Sequence, residues 1–398
     1  PYCLQLCPYC DFTKYELGPK NTSGVAPDAY VELVRAEIRS RARGIPAKRA
    51  LSSIYFGGGT PSLLEPSHIL SIMTELANEG LRPERGAEFT IEIDPATCDQ
   101  ARLDAYLEMG INRFSVGAQT FDDRLLKVAG RKHTSRDTIE LLDLLRRNSV
   151  NYSFDLLFAL PSQTLDGLRD DLARTLSFGP SHLSAYCLNV PEGHKLSGGR
   201  APEEEQVEMF DVIESTLADG GLPRYEISNF ARPGFESQHN MVYWTDKSYW
   251  GLGLSSHSYI TKEDFSERGE VAEWGARFWN TRAMKIYSDQ LKAAPEGDWS
   301  FLTSLPEAQI EKLAKHQALT DFLHTGLRPL RGFDENALRL KFGDESSHLA
   351  LTRLTALRES ALVTSSRGQW SMTREGRLVA NLVFEKLTFL EGEETLRA

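Results

Sequence analysis

Apolar and polar positions follow two patterns, which alternate along the first half of the chain. Short apolar runs rich in β-forming residues are separated by segments with the helical period of apolar positions. The apolar runs are Ser53–Phe56, Phe89–Ile93, Arg113–Gly117, Ser153–Leu160 and His182–Val190, and the helical segments are Ser67–Asn78, Gln100–Met109, Arg136–Arg147 and Leu165–Leu176. This alternation predicts a parallel α/β sheet with right-handed crossovers, arranged either as a barrel or as a doubly wound sheet.

The strand ends of such a sheet carry particular weight. Continuous apolar runs such as Phe154–Leu160 predict strands that are buried on both faces. Ligands of parallel α/β folds gather at the carboxyl ends of the strands. Polar residues at those ends are therefore the first candidates for a functional site.

The second half of the chain has a different pattern. A helix is predicted over Glu203–Leu217, and Tyr225–Tyr259 is then rich in aromatic residues, Gly and Asn without a clear period. From Pro306 onwards the pattern predicts helices and a hairpin, in a layout that resembles a small winged-helix domain. The predicted elements are the helices Glu307–Gly326, Asp334–Phe342 and His348–Glu359, the hairpin Ala361–Met372 with Gly368 at its turn, and a last helix from Arg374. We therefore expect three regions, at residues 1–225, 226–305 and 306–398.

Composition and charge exclude several classes of protein. The 398 residues are 41% hydrophobic and 25% charged, which indicates a globular chain rather than a disordered one. The 56 acidic residues outnumber the 45 basic ones, and the net charge of −11 argues against nucleic acid as a partner. No apolar run approaches the roughly 20 residues of a membrane span, and no signal peptide precedes the first cysteine, so we expect a cytoplasmic protein. Because the chain opens with Pro1 instead of Met, we expect its natural N-terminus to lie upstream.

Three of the five cysteines are clustered at the start of the chain. Cys3, Cys7 and Cys10 have the spacing C-x3-C-x2-C, whereas Cys98 and Cys187 stand alone and are predicted to be inert buried thiols. Three close thiolates suit zinc or an iron–sulfur cluster. Structural zinc needs a fourth ligand, and no Cys or His follows nearby. A four-iron cluster with one open iron fits the three thiolates better.

Further polar groups occur at the predicted strand ends. The segment Ile54–Ser62 reads IYFGGGTPS, and its glycines allow close approach of the backbone to a small polar ligand. A carboxylate or amide ends or interrupts other strands, at Glu92, Gln119 and Asp155, and Arg131 lies in a following loop. Taken singly, each of these side chains also fits a structural hydrogen bond or ion pair.

These motifs together resemble a known family. The cysteine spacing resembles that of the radical S-adenosylmethionine (SAM) superfamily, and the strand-end residues resemble its oxygen-independent coproporphyrinogen III oxidase branch, the HemN and HemW group. The likeness extends over nearly the whole chain and includes Tyr225–Gly234, Tyr249–Tyr259 and Phe322–Arg328. It implies a partial (β/α)6 TIM-like barrel with a small C-terminal winged-helix-like domain.

The resemblance also implies cofactors and the residues that hold them. It implies a [4Fe-4S] cluster on Cys3, Cys7 and Cys10, with SAM on the open iron. The residues that the family would place around SAM are Tyr9 beside the adenine, Gly58, Gly59 and Thr60 at the amino group, and Glu92, Gln119, Arg131 and Asp155 around the ribose, carboxylate and adenosyl portions.

Two local features separate the oxidase from the haem chaperone within this group. The oxidase type continues after the third cysteine with Gly and a fourth Cys, where this chain has Asp11 and Phe12. The segment His239–Trp244 reads HNMVYW and matches the HNxxYW motif associated with the HemW type, which implies haem contacts for His239, Asn240, Tyr243 and Trp244. A His can ligate iron and the aromatic rings can cover a porphyrin. Read from the residues alone, the segment fits an aromatic packing cluster, and His257 competes as a haem ligand.

We therefore expect a haem chaperone that binds the cluster, SAM and haem and delivers haem to acceptor proteins. The expected partners are haem-accepting proteins, including respiratory enzymes at the membrane surface, and a second copy of the chain. One alternative is a coproporphyrinogen III oxidase, which converts propionates to vinyls by radical chemistry. A second alternative of another class is a zinc-stabilised winged-helix protein that binds DNA.

Overall fold

The strands of the protein form four sheets. The computed structural model describes residues 1–18, 21–42, 50–266, 272–293 and 309–393. A two-stranded ribbon contains β1 (Tyr2–Cys3) and β2 (Tyr15–Glu16), and the six-stranded sheet contains β3 (Ala50–Phe56), β4 (Arg82–Ile93), β5 (Arg113–Gln119), β6 (Tyr152–Phe158), β7 (His182–Cys187) and β8 (Asn229–Ala231). One three-stranded sheet contains β9 (His257–Ile260), β10 (Ala276–Trp279) and β11 (Ile310–Lys312). The other contains β12 (Phe333–Asp334), β13 (Val363–Ser366) and β14 (Gln369–Met372).

Helices connect these strands and cover the large sheet. In the first part of the chain they span Pro27–Arg41, Pro66–Asn78, Gln100–Glu108, Asp123–Val128, Ser135–Arg147, Leu165–Phe178 and Glu203–Asp219. The later helices span Gln238–Trp244, Lys262–Ser266, Met284–Ala293, Lys315–Gly326, Glu335–Glu359, Arg374–Leu378 and Ala380–Lys386.

The six-stranded sheet is a curled half-barrel, which confirms the predicted partial barrel over a doubly wound sheet. Its strand order is β3-β4-β5-β6-β7-β8, so neighbours in sequence are neighbours in space. The first five strands are parallel, and β8 pairs antiparallel with β7. The sixth strand therefore runs against the other five, because a short return after the helix Glu203–Asp219 brings the chain back without a crossover.

The two faces of this sheet differ in chemistry, although β5 and β6 are buried on both faces, which confirms the prediction for Phe154–Leu160. Phe89, Phe114 and Phe154 point outwards into the main hydrophobic core. The alternate positions point inwards and are polar, as the run Glu88, Thr90, Glu92 and Asp94 along β4 shows. Side chains alternate along a strand, so one polar face is compatible with a strand that is buried overall.

Residues 225–259 contain more regular structure than their composition indicates. The strand β8 and the helix Gln238–Trp244 both lie in the stretch without a clear apolar period. The predicted boundary at residue 225 stays a prediction, and the one at residue 305 lies outside the described residues.

The C-terminal elements follow the predicted layout with one correction. Ile310–Lys312 forms a strand that pairs with β10, and the helix begins only at Lys315, so the prediction of a helix starting at residue 307 is wrong over these residues. Gly343, at φ 77°, separates the two helical segments within Glu335–Glu359. Gly368, at φ 80°, makes the tight turn between β13 and β14. These elements enclose a hydrophobic core of their own.

Candidate functional site

The cysteine loop lies against the carboxyl end of the half-barrel. Cys3 is buried on β1, whereas Cys7 and Cys10 are half-buried. A Cβ atom on Gly59 would lie 2.7 Å from the carbonyl oxygen of Tyr2, so only glycine lets the loop after β3 approach β1 this closely. On the other side, the Cys7 thiol lies 3.5 Å from the carbonyl oxygen of Gly130. Two strand-end loops thus hold the cysteine segment in place.

The three thiols suit a soft metal cluster. Burial raises the pKa of Cys3, a hydrogen bond with Thr60 opposes that rise, and the neighbouring thiols of Cys10 and Cys7 add to it. The thiols of Cys7 and Cys10 therefore lie within electrostatic range of the Cys3 thiol. Among the residues that the structure describes, no group of three or more His, Cys, Asp or Glu side chains is arranged to hold a single metal ion. The donor set of three thiolates fits an iron–sulfur cluster by its chemistry.

Glu92 lies at the centre of the inner face. Its Oε1 accepts a hydrogen bond from the Tyr55 hydroxyl at 2.7 Å, and its Oε2 accepts one from the Gly58 N–H at 3.1 Å. Burial raises the pKa of Glu92 to about 7, although the hydrogen bonds from Tyr55 and Gly58 oppose the rise. The carboxyl group is therefore poised to change its charge when a cation binds beside it.

Asp155 faces Glu92 across the inner face. Its Oδ2 accepts a hydrogen bond from the Ser115 hydroxyl at 3.1 Å. Burial raises the pKa of Asp155, and hydrogen bonds from Ser184 and Ser115 oppose the rise. Two carboxyl groups with raised pKa values thus lie on the same inner face, which favours a ligand that brings hydrogen-bond donors or positive charge.

Gln119 ends β5 in a left-handed backbone conformation with φ 69°. Buried Asp171 fixes the turn that follows: it accepts hydrogen bonds from the Thr120 hydroxyl and the Phe121 N–H, both at 2.7 Å. Burial raises the pKa of Asp171 to about 6. The strained turn keeps the Gln119 side chain at the site, because a non-glycine residue with positive φ needs such support.

Arg131 joins the cysteine loop to the strand ends. Its guanidinium donates to the carboxylate of Asp94 and to the carbonyl oxygen of Gly117, both at 2.8 Å, and contacts the Tyr9 hydroxyl at 3.4 Å. Burial alone would raise the pKa of Asp94, but the hydrogen bond from His133 and the charge of Arg131 lower it. The structure therefore brings Tyr9, Arg131 and the cysteine loop together.

The helix Gln238–Trp244, which carries the HNMVYW motif, is docked on the first two strands of the half-barrel. His239 stacks on Tyr55 with ring centroids 4.7 Å apart and planes at 16°. Its Nδ1 lies 3.0 Å from the Ser53 hydroxyl, and its Nε2 lies 2.8 Å from the Tyr243 hydroxyl. Burial lowers the pKa of His239 to about 4, so the ring is neutral near pH 7. A neutral imidazole is the form that ligates iron.

The other residues of the motif face in two directions. Asn240 lies on the side of Tyr225, whose pKa it helps to lower against the effect of burial, whereas Trp244 turns towards the C-terminal region, where Arg328 lies 4.3 Å above its ring. The competing His257 lies on β9, is exposed, and stacks on Trp279 at 6.1 Å. Among the described residues, His239 is the one predicted haem residue that contacts the Tyr55 ring, whose hydroxyl donates to Glu92.

Several side chains at the site are absent from the sequence-based prediction. They are Ser53, Tyr55, Glu88, Asp94, Arg113, Ser115, His133, His182 and Ser184. Most of them occupy every second position of a strand, in phase with the predicted Glu92 and Asp155. That period of two was a readable signal.

The lone cysteines lie apart from the cysteine loop. Cys98 is half-buried after the turn Pro95–Thr97, and burial raises the pKa of its thiol to about 12. Cys187 is exposed at the end of β7, so the prediction that it is buried is wrong. It occupies an outward position at a strand end, where the covering helices leave it accessible.

Known proteins match this chain over nearly its whole length. Residues 1–174 match the family described as the radical SAM superfamily, and residues 313–379 match the HemN C-terminal domain. The heme chaperone HemW of Bacillus subtilis is 32% identical over 396 residues, which cover 96% of each chain. The heme chaperone HemW of Lactococcus lactis is 31% identical over 397 residues, which cover 97% of this chain and 95% of that protein.

A solved structure supports the fold. Coproporphyrinogen III oxidase (HemN) from Escherichia coli has a TM-score of 0.79 over 98% of this chain and 88% of its own, at 20% sequence identity. At that identity the likeness shows the architecture and no more. Among the described residues, no helix is both long and apolar enough to cross a membrane. By its sequence relatives, the chain belongs to the HemW haem chaperone family within the radical SAM superfamily.

Proposed function

We propose that this protein is a cytoplasmic haem chaperone that binds a [4Fe-4S] cluster, SAM and haem, and delivers haem to acceptor proteins. The observation that carries this proposal is the docking of His239 on Tyr55, whose hydroxyl donates to Glu92. The haem motif and the strand-end site thus share one side chain. A haem bound at the motif lies next to the SAM site.

The residues of the strand-end site would hold the cofactors as follows. Cys3, Cys7 and Cys10 ligate three irons, and a cluster with one open iron supplies the electron that cleaves SAM when both are bound. The remaining side chains position SAM without taking part in that electron transfer. The Gly58–Thr60 loop would take the amino group and Tyr9 would border the adenine. The ribose, carboxylate and adenosyl portions would be surrounded by Glu92, Gln119, Arg131 and Asp155.

The haem motif offers an iron ligand and a polar rim. His239 Nε2 would hold haem iron in place of its contact with the Tyr243 hydroxyl, because a ring nitrogen cannot hold both at once. Tyr243 would cover the porphyrin, and its T-shaped contact with Tyr249, at 4.6 Å between centroids, supports the Tyr243 ring. The proposed partners are haem-accepting proteins, which include proteins at the membrane surface, and a second copy of the chain.

The oxidase alternative rests on the HemN fold and on the same strand-end site. Asp11 and an exposed Phe12 follow the third cysteine in place of the Gly and Cys of the oxidase type, which favours the chaperone. The DNA-binding alternative is disfavoured, since the C-terminal region matches the HemN C-terminal domain and the chain carries a net charge of −11.

Paired assays on anaerobically reconstituted protein test the proposal. We expect stoichiometric haem binding, seen as an intense absorbance near the visible blue, and no conversion of coproporphyrinogen III to protoporphyrinogen. His239→Ala should weaken haem binding while iron and sulfide contents stay unchanged. His257→Ala is the matched control and should bind haem normally. Efficient decarboxylation by the parent protein, or an unchanged haem spectrum in His239→Ala, would contradict the proposal.

A further inference from the structure

Arg113 is a buried cation on the inner face of the half-barrel, at the end where the parallel strands begin. We call this end, around Thr90, Arg113 and His182, the floor of the half-barrel. Arg113 is the first residue of β5, it points to the inner face, and its side chain is 4% exposed. Its charged neighbour is Glu88, but the distance from Arg113 Nε to Glu88 Oε2 is 3.8 Å, which is too long for a hydrogen bond. Within the described residues, Nε has no hydrogen-bond partner.

Glu88 is not free to satisfy this guanidinium. Its two carboxylate oxygens accept hydrogen bonds from the Ser237 hydroxyl at 3.2 Å, the Gln238 N–H at 3.0 Å and the His239 N–H at 3.1 Å. Glu88 therefore caps the first turn of the helix Gln238–Trp244. The Glu88 carboxylate therefore lies between the Arg113 guanidinium and the backbone N–H of His239.

Two other buried polar atoms near Arg113 also have no partner among the described residues. They are the hydroxyl of Thr90, which pairs with Arg113 across β4 and β5, and Nδ1 of His182. The ring of His182 is neutral, because burial and then the charge of Arg113 lower its pKa well below the usual range. When the Tyr225 hydroxyl donates to Nε2 of His182, the ring proton lies on Nδ1. Three potential donors thus face the floor and have no protein acceptor.

Buried donors without acceptors cost free energy, so a ligand that brings acceptor oxygens would be stabilised there. The fork of a guanidinium matches a carboxylate in particular. Arg113 starts β5 and Gln119 ends it, so about 20 Å of strand separates the floor from the cysteine loop. The floor nevertheless adjoins Asp155, because the charge of Arg113 lowers the pKa of that carboxyl group, and the bonds of Glu88 to the Gln238 and His239 N–H groups tie it to the haem motif.

We propose that Arg113 is a carboxylate-binding residue that takes a propionate group of the tetrapyrrole held by the helix Gln238–Trp244. The inference rests on the proposed function, because it needs haem at His239. It adds a contact that the sequence motif does not contain. It also assigns an orientation, in which a propionate edge of the porphyrin enters the half-barrel.

Modified ligands test the contact on the unmodified protein. We expect haem dimethyl ester, whose propionates carry no charge, to bind about ten- to a hundredfold more weakly than haem, as the loss of a charge-assisted hydrogen bond predicts. In Arg113→Gln, haem itself should bind more weakly by a similar factor, and esterification should have little further effect. Arg113→Lys should recover part of the haem affinity, because it keeps the charge without the fork.

Arg224→Gln is the matched control for loss of a buried arginine. Arg224 is also buried, but its guanidinium lies over the rings of Phe210 and Phe230 at 3.9 and 4.6 Å, away from the floor. In this variant the penalty for esterification should equal that of the parent protein. Circular dichroism of all variants checks that they are folded.

The outcomes separate this inference from the function on which it rests. A parent protein that binds no haem would overturn both. A parent protein that binds haem and its dimethyl ester equally, or an esterification penalty that persists in Arg113→Gln, would overturn the inference alone and leave the floor as a water site. SAM and decarboxylated SAM form a second pair of probes. If Arg113→Gln removes discrimination between those two, the carboxylate at the floor is that of SAM, and the propionate assignment is wrong.

Discussion

The inner face of the half-barrel buries charged and polar side chains, whereas the core of the C-terminal region buries apolar ones. Along the inner face, Glu92 and Asp155 have raised pKa values, and Nε of buried Arg113 has no hydrogen-bond partner among the residues that the structure describes. The C-terminal core is built from apolar side chains that are almost fully buried, among them Leu319, Leu323, Leu338, Leu354 and Val383. The outer face of the same sheet resembles that core, so one strand carries both kinds of surface.

This difference separates the residues that bind from the residues that stabilise. Apolar burial lowers the free energy of the folded chain without any ligand. The inner carboxyl groups raise that free energy until a ligand supplies donors or charge. Substitutions in the two regions should therefore affect different measurements.

The largest expected effect is the loss of the cluster with the fold intact. Cys10→Ala should abolish iron and sulfide incorporation on anaerobic reconstitution, because three thiolates are the minimum that holds a cluster with one open iron. Cys98→Ala is the control and should incorporate both normally. Iron and sulfide analysis with the visible absorption spectrum checks this. Loss of the cluster in Cys98→Ala would show that the ligand set is wrongly assigned.

The C-terminal core provides the reverse case, in which stability falls while binding remains. Leu354 is fully buried, so Leu354→Ala should lower the free energy of unfolding by about 2–5 kcal/mol. Leu340, in the same run Glu335–Glu359, is 90% exposed, and Leu340→Ala should change stability little. Urea unfolding measures both. Reduced SAM affinity in Leu354→Ala under conditions where it is fully folded would contradict the separation.

The smallest expected effect is a pH dependence that originates on the inner face. The folded-state pKa of Glu92 is about 7, above its unfolded value of 4.5, so the unfolded state ionises first as pH rises. The contribution of Glu92 to stability is thus full below pH 4.5 and is lost as pH rises through 7. Glu92→Gln cannot titrate, and its stability relative to the parent protein should increase by about 1–3 kcal/mol between pH 4.5 and 8.

Unfolding experiments at several pH values on the protein without SAM measure this difference. Asp171→Asn is a useful comparison, because the pKa of Asp171 is also raised, to about 6, while its partners are fixed in the turn after Gln119. A stability difference between Glu92→Gln and the parent protein that does not change with pH would contradict the assignment.

The sequence predicts the strands of the half-barrel well, because their outer residues form one apolar face. It also indicates Glu92 and Asp155, since carboxylates are conspicuous in such strands. The residue types of Ser115 and Tyr55 do not indicate a site, because a hydroxyl in a strand is ordinary, and only their period of two relative to Glu92 and Asp155 singles them out. The contacts of Tyr55 with Glu92 and His239 show that it lies at the site.

The helix Gln238–Trp244 shows a second limit of sequence reasoning. It is only seven residues long, too short to be stable from its own hydrogen bonds. Its first turn is capped by Glu88, which is 149 residues earlier in the chain than Ser237. Ser237 is a local N-cap, since its hydroxyl accepts the Asn240 N–H at 3.3 Å, but no local pattern encodes the contacts of Glu88. The C-terminal strand β11 was missed for a related reason, since its partner β10 is distant in sequence.

The chain between β8 and the motif helix spans the open side of the half-barrel. β8 is one edge of the sheet, and the helix Gln238–Trp244 rests on β3, the other edge. Arg232 is held at the first edge by its bond to the carbonyl oxygen of Ser181, and Ser237 is held at the other by Glu88. Five peptide steps join Arg232 to Ser237, so the two attachment points can never lie more than about 18 Å apart. The segment acts as a tether of fixed length, which limits how far the two edges can move apart while Glu88 holds Ser237.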